Sequence, residues 1–126
     1  MAPIETSIDY PNDLTVHTVK GDVNAEEIIQ RIEEYNSEKV TLRVIWDFSD
    51  AIIEDSSNEK LRSVLAAAGE YNEVRKGGKA ALVSTETFLF GLERMYGILT
   101  ELKDSPVEHR AFRNMEDAKE WIGKPS

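Results

Sequence analysis

The chain has 126 residues and no cysteine, and its formal net charge is −9 at pH 7. This length suits one domain with an ordinary hydrophobic core and is too short for two. The acidic balance excludes non-specific binding to nucleic acids or anionic membranes, and the lack of cysteine excludes disulfides and thiolate sites. The sequence shows neither a signal-peptide pattern nor an apolar run of membrane-spanning length, so we expect a cytoplasmic protein without integral membrane association.

The first predicted element is a hairpin. Residues 4–10 alternate between apolar and polar side chains, as a half-buried strand does. The turn signal Pro11-Asn12-Asp13 follows, and the alternation resumes over residues 14–19. These two strands are therefore expected to pair with each other, and Gly21 is expected to end the second one.

A helix and a central strand are predicted next. Asn24 and Glu27 form a capping-box pair at the start of the helix, and the apolar residues keep helical spacing as far as Tyr35. Residues 40–48 are then nearly all Leu, Val, Ile, Trp or Phe. Such a run is typical of a central strand that is covered on both faces.

Helices and short strands alternate along the rest of the chain. The predicted elements are helices over residues 57–75, 85–102 and 115–123 and strands over residues 79–84 and 107–112. Asn114, with Asp117 at the third helical position, is expected to cap the last helix. The full order, β-β-α-β-α-β-α-β-α, predicts a single α/β domain over residues 1–126. Its mixed five-stranded sheet is expected to be mostly parallel, with the hairpin as the antiparallel part and four helices as covers.

Polar residues gather where the central strand is expected to end. Asp47 closes the apolar run and Ser49 follows it, while Asp55 and Asn58 flank the start of the second helix. In open α/β sheets, sites usually lie at the carboxyl ends of the strands. We therefore predict that Asp47, Ser49, Asp55 and Asn58 form a binding edge.

The serines between Asp55 and Asn58 have a plainer explanation, which stays open. Ser56, with Glu59 three residues later, also fits a capping box at the start of the second helix. The nearby carboxylates lack the regular spacing of a calcium loop, so we expect no metal and no cofactor. The two histidines lack ligand spacing, and no catalytic triad, phosphate loop or pair of catalytic carboxylates is defined, so we do not expect an enzyme.

The third predicted helix has two distinct faces. One is an apolar stripe of Phe88, Leu92, Met95, Leu99 and Leu102, flanked by Leu89, Tyr96 and Ile98. Phe90, Arg94 and Gly97 point away from that stripe at about 100° per residue. The helix also contains two glycines, each of which costs roughly 1 kcal/mol relative to alanine, so a close approach by another helix or by a ligand is expected there. We predict a partner or dimer face at Phe90, Arg94 and Gly97, with coverage by the protein's own domain as the alternative.

Four segments, taken in order, carry a resemblance to a known fold. They are residues 45–49 (Ile-Trp-Asp-Phe-Ser), 75–79 (Arg-Lys-Gly-Gly-Lys), 90–96 (Phe-Gly-Leu-Glu-Arg-Met-Tyr) and 110–113 (Arg-Ala-Phe-Arg), the last leading into residues 116–121. Together they resemble the STAS fold of anti-sigma-factor antagonists of the stage II sporulation protein AA type, and a bacterial family of uncharacterised STAS-like and SEC14-like proteins. The resemblance spans essentially the whole chain and implies a STAS-like fold.

The resemblance also implies two kinds of site. The antagonists carry a strand-end aspartate and an Asp-Ser-Ser-Gly loop whose second serine is phosphorylated to release a partner kinase. This implies Ser57, with Ser56 beside it, as a regulatory phosphorylation site, although Asn58 stands where the antagonists have glycine. The SEC14-like side implies a lipid or small apolar ligand under the third helix. The residues lining that ligand would be Phe88, Leu92, Met95, Tyr96 and Leu99.

Two functions of different classes follow from these patterns. The first is a non-enzymatic STAS-like regulatory module that binds another protein or a second copy of itself. The second is the binding of a lipid or another small apolar ligand. The sequence favours the first, because a stripe of apolar side chains on a helix is more often ordinary core and a chain of this length has little volume for a pocket.

Overall fold

The computed structural model describes residues 4–36, 41–53, 58–69 and 76–124. Within them, five strands and four helices follow one another in the predicted order. The strands are β1 (Ile4–Asp9), β2 (Leu14–Val23), β3 (Arg43–Ile53), β4 (Lys79–Val83) and β5 (Glu108–Phe112). The helices are α1 (Ala25–Asn36), α2 (Asn58–Gly69), α3 (Thr87–Leu102) and α4 (Met115–Ile122). The predicted continuation of α2 over residues 70–75 lies outside the described residues.

The five strands form one sheet in the order β1-β2-β3-β4-β5. β1 pairs antiparallel with β2, and every other neighbouring pair is parallel. The predicted fold class, a mixed and mostly parallel five-stranded sheet with four helices, is therefore confirmed. No helix in the described part of the chain combines the length and the hydropathy that a membrane span requires.

Each face of the sheet has its own hydrophobic core. On one face, side chains of α1, α2 and α3 pack against the strands, with Ile28, Val64 and Leu92 as examples from the three helices. On the other face, α4 contributes Ala118, Trp121 and Ile122 to a smaller cluster. Burial on both faces explains why the central strands are so apolar, as the sequence pattern predicted.

Strand β3 contains an extra residue that the sequence pattern did not reveal. Pairing advances from Thr18 with Asp47 to Lys20 with Asp50, so one residue of β2 lies opposite two of β3. Such a β-bulge shifts the alternation of side chains by one position. The core-facing residues of β3 are accordingly Val44, Trp46 and Phe48 before the bulge and Ala51 and Ile53 after it.

Both strands beside the bulge are longer than predicted. β2 continues to Val23 and β3 continues to Ile53, so the predicted ends at residues 19 and 48 are wrong. Gly21 lies inside β2 with a φ of +72° and does not end the strand. Glycine adopts this backbone conformation without the steric strain that a side chain would cause.

Two cations hold helix α4 at the amino end of the parallel strands. The buried Lys79 donates from Nζ to the carbonyl oxygens of Trp121 at 3.2 Å and Lys124 at 2.9 Å. Arg43 donates to the carbonyl oxygen of Ile122 at 3.3 Å. Positive groups are favourable here because the last carbonyls of a helix lack partners and carry the negative end of its dipole.

The predicted helix starts at Asn24 and Asn114 are confirmed. The amide of Glu27 donates to Asn24 Oδ1 at 2.8 Å, and the amide of Asn24 donates to Glu27 Oε1 at 3.1 Å. At α4, the amide of Asp117 donates to Asn114 Oδ1 at 2.8 Å. These bonds satisfy amides that the first turn of a helix leaves free.

Candidate functional site

Asp47 lies within β3, next to the bulge. Its Oδ1 accepts a hydrogen bond from the amide of Ser49 at 3.0 Å. A side chain that bonds the backbone two residues later stabilises a local turn of the chain. The predicted place of Asp47 at the end of the strand is wrong, because the bulge lets β3 continue to Ile53.

The predicted binding edge is only partly inside the described residues. Asp47 and the half-buried Ser49 lie together at the bulge. Helix α2 begins at Asn58, whose side chain is not described. Asp55 and the two serines Ser56 and Ser57 fall outside the described residues.

Beyond β4, strands β2 and β3 continue as a two-stranded ribbon. Strand β4 ends opposite Asp47, whereas pairing between β2 and β3 extends through residues 20–23 and 50–53. One face of this ribbon packs into the core through Val23 and Ile53. The other face carries exposed side chains, and Ile52 is 64% exposed there. We call residues 20–23 and 50–53 the β2–β3 ribbon.

Gly97 allows helix α3 to approach strand β5 of the same chain. A Cβ atom at position 97 would lie 3.3 Å from the carbonyl oxygen of His109, a contact too tight for a rigid backbone neighbour. The neighbour expected at this glycine was another helix or a ligand, whereas the structure places the chain's own strand β5 there, as the alternative of coverage by the same domain requires. Gly91, in contrast, has open space at the position of a Cβ atom.

The other two residues of the predicted partner face differ in their surroundings. The ring of Phe90 is half-buried, with the guanidinium of Arg113 4.9 Å from its centroid. Arg113 in turn donates to the carbonyl oxygen of Thr85 at 3.3 Å. Arg94 is exposed. A role of this face in binding a partner stays a prediction.

The predicted ligand-lining stripe of α3 faces the core. Leu92, Tyr96 and Leu99 pack into the main hydrophobic cluster, and the Tyr96 ring meets the His109 ring edge-on at 5.3 Å. Met95 is half-buried, and the side chain of Phe88 is not described. These contacts are those of ordinary core packing, which was the alternative to a ligand site.

Glu93 is a site residue that the sequence patterns did not single out. Its side chain is only 5% exposed, and neither carboxylate oxygen has a hydrogen-bond partner among the described residues. Burial raises the pKa of Glu93 to about 8, and the negative charge of Asp47 contributes to the same shift. No local pattern indicated this burial, because a carboxylate on a helix normally faces water.

The two histidines make hydrogen-bond and ring contacts within the domain. Within residues that the structure describes, no three His, Cys, Asp or Glu side chains are grouped so that they could hold a metal ion. The Nδ1 atom of the buried His17 lies 2.9 Å from Thr6 Oγ1, and the His17 ring packs against the ring of Trp46. His109 approaches the carbonyl oxygen of Val107 at 3.1 Å.

Solved structures with the same fold cover nearly the whole chain. An uncharacterized protein of the DUF3478 family from Shewanella loihica PV-4, with a SpoIIAA-like fold, has a TM-score of 0.56 and 12% identity over 94% of this chain and 91% of that one. The Bacillus cell fate determinant SpoIIAA in its phosphorylated form has a TM-score of 0.53 and 15% identity, with 94% and 98% of the two chains covered. The anti-sigma factor antagonist SpoIIAA in its unphosphorylated form has a TM-score of 0.51 and 13% identity, with 94% and 96% covered.

These similarities show that the chain has a STAS-like fold of the SpoIIAA type, as the sequence resemblance implied. No family model and no curated protein sequence matches the chain. At 12–15% identity, the likeness establishes the fold alone.

Proposed function

We propose that this protein is a non-enzymatic regulatory module that binds a protein partner at the carboxyl edge of its sheet. The observation that carries the proposal is the β2–β3 ribbon, which extends past β4 and exposes Ile52 to 64%. Because β4 pairs with β3 only as far as Asp47 among the described residues, β3 offers an exposed strand edge, to which a protein segment can bind through its backbone, with Ile52 as an apolar contact. Asp50 and Lys20 lie opposite each other on the same face and would form its polar rim.

A phosphorylation switch at Ser57 deepens this proposal. One of the similar structures is SpoIIAA in a phosphorylated form, and Ser57 precedes the first residue of α2 in this chain. A phosphate at a helix start is favoured by the free amides and the dipole of the first turn. Asp55 and Glu59, close by in sequence, would repel it, so the added charge would act on the binding edge more than on the core.

A second copy of the chain is the alternative partner. Helix α3 exposes Ile98 to 53% and Leu102 to 76%, one helical turn apart, and Arg94 lies one turn before Ile98. The same side of the helix includes Gly91, which has open space around it. Exposed apolar residues at this spacing suit packing against another helix.

The binding of a lipid or small apolar ligand under α3 has less support. Leu92, Tyr96 and Leu99 already fill space between the helix and the sheet, and Gly97 brings the helix against the backbone of β5. A ligand would have to displace these contacts. Solvent extraction of the purified protein followed by mass spectrometry should therefore recover no stoichiometric lipid.

The partner proposal is tested by capture on the immobilised protein. Wild type, Ile52→Asp and Ser57→Asp are compared with Tyr10→Asp, a control at an exposed tyrosine outside the ribbon. We expect one set of proteins to be retained by wild type and by the control and to be lost with Ile52→Asp. Equal retention by all four would contradict a contact at the ribbon, and unchanged retention by Ser57→Asp would contradict the switch.

Self-association is tested separately by light scattering at micromolar concentration. We expect a dimer that dissociates in Ile98→Asp, because a charge on the exposed stripe of α3 cannot be buried in an apolar contact. Phe90→Asp tests the neighbouring face, which the sequence pattern had indicated. A monomeric wild type would exclude the second copy as partner and leave the ribbon proposal to the capture experiment.

A further inference from the structure

Among the described residues, the buried carboxyl of Glu93 has neither the hydrogen bonds nor the opposite charge that usually stabilise a charged side chain in a protein interior. Its side chain is 5% exposed, and both of its oxygens are without hydrogen-bond donors among the described residues. An ionised carboxylate in such a place is strongly disfavoured, whereas the neutral acid is tolerated. The protonation state of Glu93 therefore determines how well this part of the interior is packed.

The elements that pack against α3 supply no compensating cation from the described residues. From β5 comes His109, whose Nδ1 is directed at the carbonyl of Val107 and whose ring meets Tyr96. From β4 come core-facing Ala80 and Leu82, which carry no charge. Asp47 of β3 adds a negative charge, which disfavours the ionised form of Glu93 further.

Charged residues of the neighbouring helices and loops are engaged elsewhere or exposed. In α2, Lys60 pairs with Glu26 of α1, and Glu59 and Arg62 are exposed. Arg113, after β5, is held by the carbonyl oxygen of Thr85 and the Phe90 ring. In α3 itself, Arg94 is exposed.

The position of Glu93 couples it to a close contact between α3 and strand β5. Gly97 lies one turn further along the helix, where a Cβ atom would be 3.3 Å from the backbone of His109. A helix held this closely cannot move apart from β5 at one turn without disturbing the next. Hydration of an ionised carboxylate at position 93 requires such a movement, because water has to reach its oxygens.

We propose that Glu93 is a proton-binding group that makes the packing of helix α3 against the sheet sensitive to pH. The neutral acid keeps the helix packed on β4 and β5, and loss of the proton weakens this packing. The ordinary pKa of a glutamate is 4.5, and that of Glu93 is raised to about 8. The folded chain thus retains a proton that the unfolded chain releases, so stability falls as pH rises from about 5 to about 8 and is then constant.

The first test measures the titration directly in the wild-type protein. The ¹³C chemical shift of the Glu93 side-chain carboxyl is followed by NMR from pH 4 to pH 10. We expect a midpoint close to 8 and, over the same range, faster amide exchange in α3 after correction for intrinsic rates. A midpoint below about 6, where ordinary carboxyls have already ionised, overturns the proposal.

The second test compares denaturant unfolding of wild type with Glu93→Gln, whose amide is neutral at every pH used. Glu101→Gln, at an exposed position of the same helix, is the matched control. Relative to Glu93→Gln, the unfolding equilibrium constant of wild type should rise about tenfold per pH unit between pH 5.5 and pH 7.5. Glu101→Gln should follow wild type.

The comparison between wild type and Glu93→Gln shows whether Glu93 causes the pH dependence of unfolding. If Glu93→Gln keeps the pH dependence of wild type, the proposal is overturned. If that variant does not fold, Glu93→Leu replaces it, because an apolar side chain of similar length also removes the titrating group and leaves no unpaired polar atom. The wild-type NMR titration decides the question in either case.

Discussion

The two ends of the parallel strands differ in how well their buried polar groups are hydrogen-bonded among the described residues. At the amino end, the hydroxyls of Thr15, Tyr35 and Thr41 bond one another at 2.8–2.9 Å, and Lys79 donates to two carbonyl oxygens of the α4 end. Towards the carboxyl end, Glu93 is buried without a hydrogen bond from the described residues. Satisfied polar groups fix one arrangement of the chain, whereas an unsatisfied one leaves a free-energy cost that a proton or a movement can relieve. Hydrogen bonds therefore stabilise the amino end, whereas we expect protonation of Glu93 to change the packing towards the carboxyl end.

The largest effect is expected from breaking the amino end at Lys79. Lys79→Met removes two charge-assisted hydrogen bonds and leaves the carbonyl oxygens of Trp121 and Lys124 without that donor. It also removes the ammonium that lies 4.9 Å from the Trp121 ring centroid. We expect the free energy of unfolding to fall by about 3 kcal/mol in urea denaturation at pH 7. Lys119→Met, at an exposed position of α4, is the control and should change it by less than about 0.5 kcal/mol.

Tyr35→Phe should have the next largest effect. The Tyr35 hydroxyl bonds Thr15 Oγ1 at 2.9 Å and Thr41 Oγ1 at 2.9 Å, and it accepts from the Thr41 amide at 2.8 Å. Its removal leaves buried partners unsatisfied and should cost about 2 kcal/mol, measured by urea denaturation. Tyr10→Phe, at a tyrosine that is 55% exposed, serves as the matched control. A loss as small as that of the control would mean that the hydroxyl network does not fix the amino end.

Asp47 gives the smallest effect and connects the bulge to Glu93. Asp47→Ala removes the acceptor of the Ser49 amide and should cost about 1 kcal/mol. Asp47→Asn keeps an acceptor but loses the charge, so stability at pH 5 should be nearly unchanged. Because the Asp47 charge raises the pKa of Glu93, Asp47→Asn should lower the Glu93 midpoint in the NMR titration. An unchanged midpoint would show that the two carboxyls do not interact.

Local signals in the sequence were sufficient for most of the fold. The capping pair of Asn24 and Glu27 and the cap of Asn114 with Asp117 involve residues three apart, and the bonds form as predicted. The alternating pattern of β1 and β2 also predicted their pairing correctly. These features depend on neighbours in sequence, so the sequence contains the information needed to recognise them.

The bulge in β3 could not be predicted in the same way. One extra residue near Ser49 changes which side chains face the core, so the residues that follow no longer match a strand of constant period. The apolar pattern of the sequence therefore predicts an end of the strand at Phe48. That the pairing continues to Val23 and Ile53 follows only from the position of the partner strand in the structure.

The candidate site depends on how α3 lies on the sheet, which no local pattern determines. The glycine at position 97 correctly indicated a close approach, but the neighbour is the backbone at His109. Glu93 is a charged residue in an amphipathic helix, and the carboxylate of such a residue normally faces water. Its burial results from the angle of α3 against β5 and is a property of the tertiary structure.

The sequential order of the strands has a consequence for how the protein is made. Each strand pairs with the one that precedes it in the chain, so the partner of every new strand has already been released by the ribosome. Helix α4 follows all five strands in the chain, and Lys79 meets its carbonyl partners only once that helix has formed. We expect the nascent chain to complete the three-helix face before α4 covers the opposite face.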